Sequence, residues 1–309
     1  MKIKAGTISR ILFYGSLIFL AVYLIRLDAF EISLNVSRWP LLLAALALGV
    51  MGFLLDALAW KVSLHMMQNP CSFRDALHAA GYSIFGKYIP GKVWATINRV
   101  SLTVQTGAAA DAAAFAGLLG QILIVAVGLV LGGGLLLKPV FPLLLKILAG
   151  IFIIGGAVLS LSPWCQRLTL NLLRRMLRME QVVFRQVSRK HLAAVVLIFA
   201  GMWLAWGTGF MLLAMALETA GTDLTWSIIL VFPLAATAGI IMLIAPGGLG
   251  VREGVMVILL ATMGFARPEA AGLGLLARFW FLACEVIYFL AALAARPGER
   301  RKVEEGTIN

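Results

Sequence analysis

Two short stretches decide how this chain reads: Tyr88-Ile-Pro-Gly-Lys-Val-Trp94 and Ile244-Ala-Pro-Gly-Gly-Leu-Gly-Val-Arg-Glu253. Each sets a proline–glycine break inside otherwise apolar sequence. Their prolines, Pro90 and Pro246, lie 156 residues apart in a chain of 309. Backbone that leaves a helix inside a bilayer strands its N–H and C=O groups, each at a cost of several kcal/mol. Such breaks survive where they line a protein-enclosed or water-filled space. Paired breaks at matching positions of two halves therefore point to a transporter binding site. The alternative is two unrelated kinked helices, since Pro and Gly are common in membrane spans.

The sequence around both breaks belongs in a membrane. Hydrophobic residues make up 61% of the chain and charged residues 13%, with a mean hydropathy of +0.97. Soluble domains carry roughly 45–50% apolar and about 25% charged residues. Several runs reach the ~20 residues that cross a ~30 Å hydrocarbon core. Spans are read at Ile8–Ile25, Pro40–Trp60, Ala112–Leu136, Phe141–Leu161, Leu192–Leu217 and Ala270–Ala295. Trp226–Ile244 is long enough to cross or to form the first arm of a re-entrant hairpin. The first run lacks an A-x-A cleavage site and reads as a retained anchor.

Orientation follows from where lysine and arginine collect. With the N-terminus inside, cytoplasmic segments hold sixteen of them, seven between Arg167 and Lys190; the opposite side holds only Arg26, Arg38, Lys138 and Arg267. Both termini are therefore expected in the cytoplasm, at the cytoplasmic (inner) membrane. The net charge of +12 then expresses topology and affinity for anionic lipid, with no nucleic-acid partner. Leu168, Leu172, Met176, Met179 and Val183 recur at helical spacing among arginines, the pattern of a helix lying in the interface.

Several chemistries are excluded. Cys71, Cys165 and Cys284 lack metal spacing, and two fall on the reducing side, so neither zinc nor a disulfide is expected. His65, His78 and His191 share no i,i+4 spacing. Gly86-Lys-Tyr-Ile-Pro-Gly91-Lys92 opens like a nucleotide-binding loop, but Val93 stands where Ser or Thr must hold magnesium. No cofactor is expected.

The breaks have a chemical meaning at helix ends. After Pro90-Gly91 and after Pro246-Gly-Gly-Leu-Gly250 a helix can restart, its first N–H groups carrying partial positive charge. Glycine lets a phosphate approach such backbone closely, making Gly91, Gly247, Gly248 and Gly250 candidate donors. Lys87, Lys92, Arg99 and Arg252 bring full charge to the same regions. A charge at mid-bilayer costs on the order of 2.5–3.5 kcal/mol on insertion scales, which an anionic ligand or counter-charge offsets. Lys87 and Lys92 have the alternative of snorkelling to the interface, and Arg252 that of pairing with Glu253. Arg278 and Glu285 fall two turns apart on one helix face, as an ion pair or shared cavity lining. Asp56, near the cytoplasmic end of the second span, is a candidate for proton coupling, for capping the helix or for pairing with Lys61. Glu253, Arg278, Glu285 and Asp56 are thus candidate gating or coupling charges. Gly128-x-x-x-Gly132 reads as close helix packing.

Gly86-Lys-Tyr-Ile-Pro-Gly-Lys-Val-Trp94 and Ala245-Pro-Gly-Gly-Leu-Gly-Val-Arg-Glu-Gly254 resemble the two signature stretches of the lysylphosphatidylglycerol synthase transmembrane-region family. That family includes the flippase half of the multiple peptide resistance factors. The resemblance implies two inverted modules with re-entrant helices and a role in moving lipids between leaflets. After Ala295 only a short charged tail follows, so aminoacyl-lipid synthesis is not expected.

The expectation is an all-α, polytopic integral membrane protein of about six to eight spans, folded as one transmembrane domain over 1–309. A first module covers 1–161 and a second 162–309, opening with the basic interfacial helix at 162–191. Its expected function is to move a phosphate-bearing lipid, either a phospholipid or a polyprenyl-phosphate-linked lipid, between leaflets. The alternative is an integral-membrane lipid-modifying enzyme or an accessory subunit of a glycosyltransferase. Catalysis needs a nucleophile or paired carboxylates at one depth, and no such constellation stands out. Expected partners are an anionic or lipid-linked headgroup, membrane lipids and a separately encoded lipid-modifying enzyme.

Overall fold

The computed structural model describes residues 38–88, 94–161, 189–216, 226–242 and 246–295. The expected first span, the basic interfacial helix up to 188, and Pro90, Gly91 and Lys92 lie outside these residues. Among the described residues the fold is all-α, as the composition demands. Its helices are α1 (Trp39–Met66), α2 (Phe73–Tyr82), α3 (Trp94–Gln105), α4 (Ala110–Leu135), α5 (Leu143–Leu161), α6 (Arg189–Ala216), α7 (Val231–Ile241), α8 (Val251–Thr262) and α9 (Arg267–Ala294).

Four of these, α1, α4, α6 and α9, run 26–28 residues and are apolar enough to cross a membrane; the apolar stretches Leu143–Gly155 and Trp226–Ile241 are shorter. At 1.5 Å per residue the long helices reach roughly 40 Å. The arms beside the two breaks are different. α2 and α3 have 10 and 12 residues, and α7 and α8 have 11 and 12. Each is about 15–18 Å long, half a bilayer core.

α2 and α3 pack as a helical hairpin. Its mouth is closed where the Ala109 N–H donates to Asn69 Oδ1 at 2.9 Å. Ser72 begins α2 as a true cap, its hydroxyl oxygen accepting from the Asp75 N–H at 3.0 Å, a contact worth about 1 kcal/mol. The same arm finishes the last helix. Arg74 Nε donates to the Ala295 carbonyl at 3.2 Å, and His78 Nδ1 lies 2.9 Å from the Ala292 carbonyl. These contacts satisfy oxygens that the end of α9 leaves unpaired.

α7 and α8 pack together as the second pair of short arms. The order long helix, short pair, long helix thus occurs twice, with α1 and α6 packed against each other at the centre. Small residues allow these approaches. Trp206 lies against Gly52 and its Nε1 donates to the Gly49 carbonyl at 3.0 Å. Gly132 of α4 sits so close to Leu234 of α7 that an added Cβ would stand 2.7 Å from its backbone, so the Gly128/Gly132 pair serves packing. Phe53, Trp206, Phe232, Trp280 and Phe281 pack ring to ring inside this framework.

Candidate functional site

The two pairs of short arms meet tip to tip. The first tip is the 3₁₀ turn Ile84–Tyr88, the second the turn Pro246–Gly248, and the two turns are in contact. Gly247 and Gly248 hold φ of 60° and 72°, and Gly250 holds 81°, a region side chains strongly disfavour. At Gly247 space decides as well, because a Cβ there would stand 2.7 Å from the Tyr88 ring.

α8 begins directly after this turn, and Glu253 caps it: the Gly250 N–H donates to Glu253 Oε2 at 2.8 Å. Its other oxygen, Oε1, is buried without a hydrogen bond among the described residues and faces Arg278 Nη1 at 3.7 Å. Arg278 Nη1 also reaches the Gly247 carbonyl at 3.4 Å, so Arg278 of α9 binds the second tip. Seven residues on, Glu285 binds the first tip. It is fully buried, and accepts from Lys87 Nζ at 2.5 Å and from the Tyr88 hydroxyl at 2.8 Å. One face of α9 therefore holds both breaks.

Arg252 completes the cluster differently. It is 6% exposed, and its guanidinium lies 4.5 Å from the ring centres of both Phe232 and Phe281. Nη2 is buried and finds no hydrogen-bond acceptor among the described residues. Neighbouring Glu253 turns away from it, toward Gly250 and Arg278. Lys87, Arg252 and Arg278 interact electrostatically with one another and with the two carboxylates. Among the described residues, three cations against Glu253 and Glu285 leave one positive charge in excess at the tips.

Of the residues expected at the site, Lys87, Gly247, Gly248, Gly250, Arg252, Glu253, Arg278 and Glu285 converge on this junction; Gly91 and Lys92 lie outside the described residues. Arg99 and Asp56 stand apart as their own ion pair, at 2.7 and 3.4 Å. Arg99 also lies over the Trp60 ring at 5.5 Å. This pair borders a cavity of ≈ 50 Å³ whose polar lining includes Ser63, Thr96 and Gln121. Sequence reasoning missed Tyr88 and the aromatic walls Phe53, Phe232 and Phe281. Tyr88 had a signal, since it directly precedes the first break.

Among the described residues no three metal-ligating side chains cluster. What the junction offers is a cradle for an anion: one buried guanidinium with an unused N–H, a lysine, and glycine backbone at a helix start. No curated protein matches the chain significantly. The profile of the family described as "Lysylphosphatidylglycerol synthase TM region" matches residues 7–287. The chain belongs to that family, and a membrane lipid-related role comes with it.

Proposed function

We propose that this protein moves a phosphate-bearing lipid between leaflets, with the headgroup binding where the two tips meet. The observation that carries the reading is Arg252, a buried guanidinium whose Nη2 has no acceptor among the described residues. Leaving a buried N–H of a charged group without an acceptor costs about 1–3 kcal/mol or more, and a phosphate oxygen supplies the missing acceptor with the sign the local charge excess favours. Lys87 and the backbone of Gly247 and Gly248 are the further contacts, together with Lys92 and Gly91; the Gly250 N–H is already taken by Glu253. Arg99 is a second-line cation, reached after the tips part.

In this reading the two short-arm pairs are re-entrant, entered from opposite faces, and the halves are inverted modules. Arms of half-bilayer length and the recurring helix order support it. Both termini lie in the cytoplasm on the charge distribution. The test is a proteoliposome assay in which a fluorescent phospholipid in the inner leaflet becomes accessible to an external quencher. The protein should accelerate exposure, and Arg252→Gln should slow it at least about tenfold, the loss of one charged hydrogen bond. Equal rates with and without protein would defeat the proposal.

A further inference from the structure

Behind the tips lies the second polar chamber, at the Asp56–Arg99 pair. Its ≈ 50 Å³ is room for a few waters, and its polar lining suits them. One aromatic stack has contacts toward both the Asp56–Arg99 pair and the tips. Phe53 and Tyr288 lie with ring centres 5.2 Å apart and planes at 21°, both buried. Phe53 is one helical turn before Asp56 on α1, and its ring centre lies 5.8 Å from Lys87 Nζ. Tyr288 is one turn after Glu285 on α9 and feels the charges of Asp56 and Arg99. Its hydroxyl is fully buried and makes no hydrogen bond among the described residues, an arrangement costly to keep unless the group is used.

We infer that this chamber is a proton port for the lipid site: headgroup binding draws a proton from the Asp56 chamber, past Tyr288, onto Glu285. The inference rests on the lipid reading above. Among the described residues, the groups that interact with Glu285 are Lys87 and Tyr88 from the first tip, Arg252 from α8 and Cys284 beside it on α9. Arg278 and Glu253 at the second tip couple to Lys87 and Arg252, and Tyr288 stands one turn along α9. Asp56 and Arg99 lie beyond Tyr288. A phosphate that takes Lys87 and Arg252 strips Glu285 of its direct counter-charge, while Arg278 is held by Glu253 and Gly247. Taking one partner from a buried ion pair leaves an uncompensated charge, and Glu285, at zero exposure, keeps the Tyr88 hydroxyl as its remaining donor. A proton from the medium, relayed by water in the chamber, therefore adds to the oxygen that Lys87 leaves, and the buffer is the net donor. Lys87 keeps its own proton and stays a cation, and release of the lipid reverses both movements.

The test is isothermal titration of dihexanoyl-phosphatidylglycerol, and separately of geranyl phosphate, into the purified full chain at about pH 8, where both phosphates are fully ionised and exchange no proton of their own. Two buffers of different ionisation enthalpy at one pH count the protons exchanged. About one proton should be taken up per lipid bound, and any binding by Glu285→Gln should proceed without uptake. Binding without uptake by the unmodified chain overturns the proton port and leaves the lipid reading standing. Absence of binding by both probes overturns both. The count on the unmodified chain needs no variant to fold. For the route, stopped-flow proton uptake should slow about tenfold in Tyr288→Phe; an unchanged rate removes Tyr288 from the path.

Discussion

The Tyr88 ring fills the space that any side chain on Gly247 would occupy, 2.7 Å from an added Cβ. The two breaks, 156 residues apart in sequence for their prolines, are therefore fitted to each other in detail.

Gly247→Ala tests that fit. The left-handed backbone alone costs a side chain about 1–2 kcal/mol, and the collision with Tyr88 adds to it. The thermal midpoint of the purified protein should fall by several degrees. Adding Tyr88→Ala should recover the part due to collision, leaving the backbone part. A Gly247→Ala protein as stable as the parent would show that the tips do not hold this contact.

Arg252 makes the opposite prediction for stability. Its stacking on Phe232 and Phe281 contributes at most about 2 kcal/mol per contact, against the cost of desolvating a guanidinium whose Nη2 finds no acceptor among the described residues, several kcal/mol. Arg252→Met should leave the midpoint unchanged or raised while lipid movement falls. This is the trade of stability for function found at binding sites. A destabilised variant with undiminished lipid movement would take Arg252 out of the site.

Lys87 and Glu285 should behave as one unit. Removing either partner of a buried pair costs about 3–5 kcal/mol, less here because Lys87 keeps 31% of its side chain exposed. Lys87→Met and Glu285→Met should each destabilise, and the double variant should be more stable than either, with a coupling of about 1 kcal/mol or more. Additive losses would deny the pair.

Cys71 lies in the turn between α1 and α2, outside the long helices. Burial, then the Asp75 charge, pushes its thiol up to about 11. A raised value favours the neutral thiol, so alkylation should be slow at pH 8 and climb roughly tenfold per pH unit until near 11. Asp75→Asn should speed it. Rapid alkylation at pH 7 would contradict the packing of this turn.

Orientation is open to labelling. In a cysteine-free background, Ala266→Cys should react with an impermeant maleimide on intact cells. Ala109→Cys should react only after permeabilisation. The reverse pattern would invert the assigned topology.

Much of the architecture was legible because a bilayer constrains sequence so tightly. Pro40–Trp60, Ala112–Leu136, Leu192–Leu217 and Ala270–Ala295 fall on α1, α4, α6 and α9, since each must be apolar for some twenty residues. Partners were another matter. Glu253 follows Arg252 in sequence, but at the third position of α8 it turns back to cap Gly250. Asp56 binds Arg99, forty-three positions away. Lys61, five residues on, stands about 140° round the helix and faces elsewhere. Arg278 and Glu285 share a face as their spacing implies, but each serves a different break. Phe53, Phe232 and Phe281 gave no signal, because an aromatic wall inside an apolar run looks like any other apolar residue.

The first hairpin can be viewed mechanically, as a beam fixed at both ends to one post. Its base is fastened to α9 by Arg74 and His78 at the Ala295 and Ala292 carbonyls, and its tip by Lys87 and Tyr88 at Glu285. A beam clamped twice does not swing. The base bonds involve backbone oxygens that keep their charge whatever binds, whereas the tip clamp is a carboxylate that a single proton can disarm. Freed there, the hairpin becomes a cantilever whose loose end is the contact between Tyr88 and Gly247.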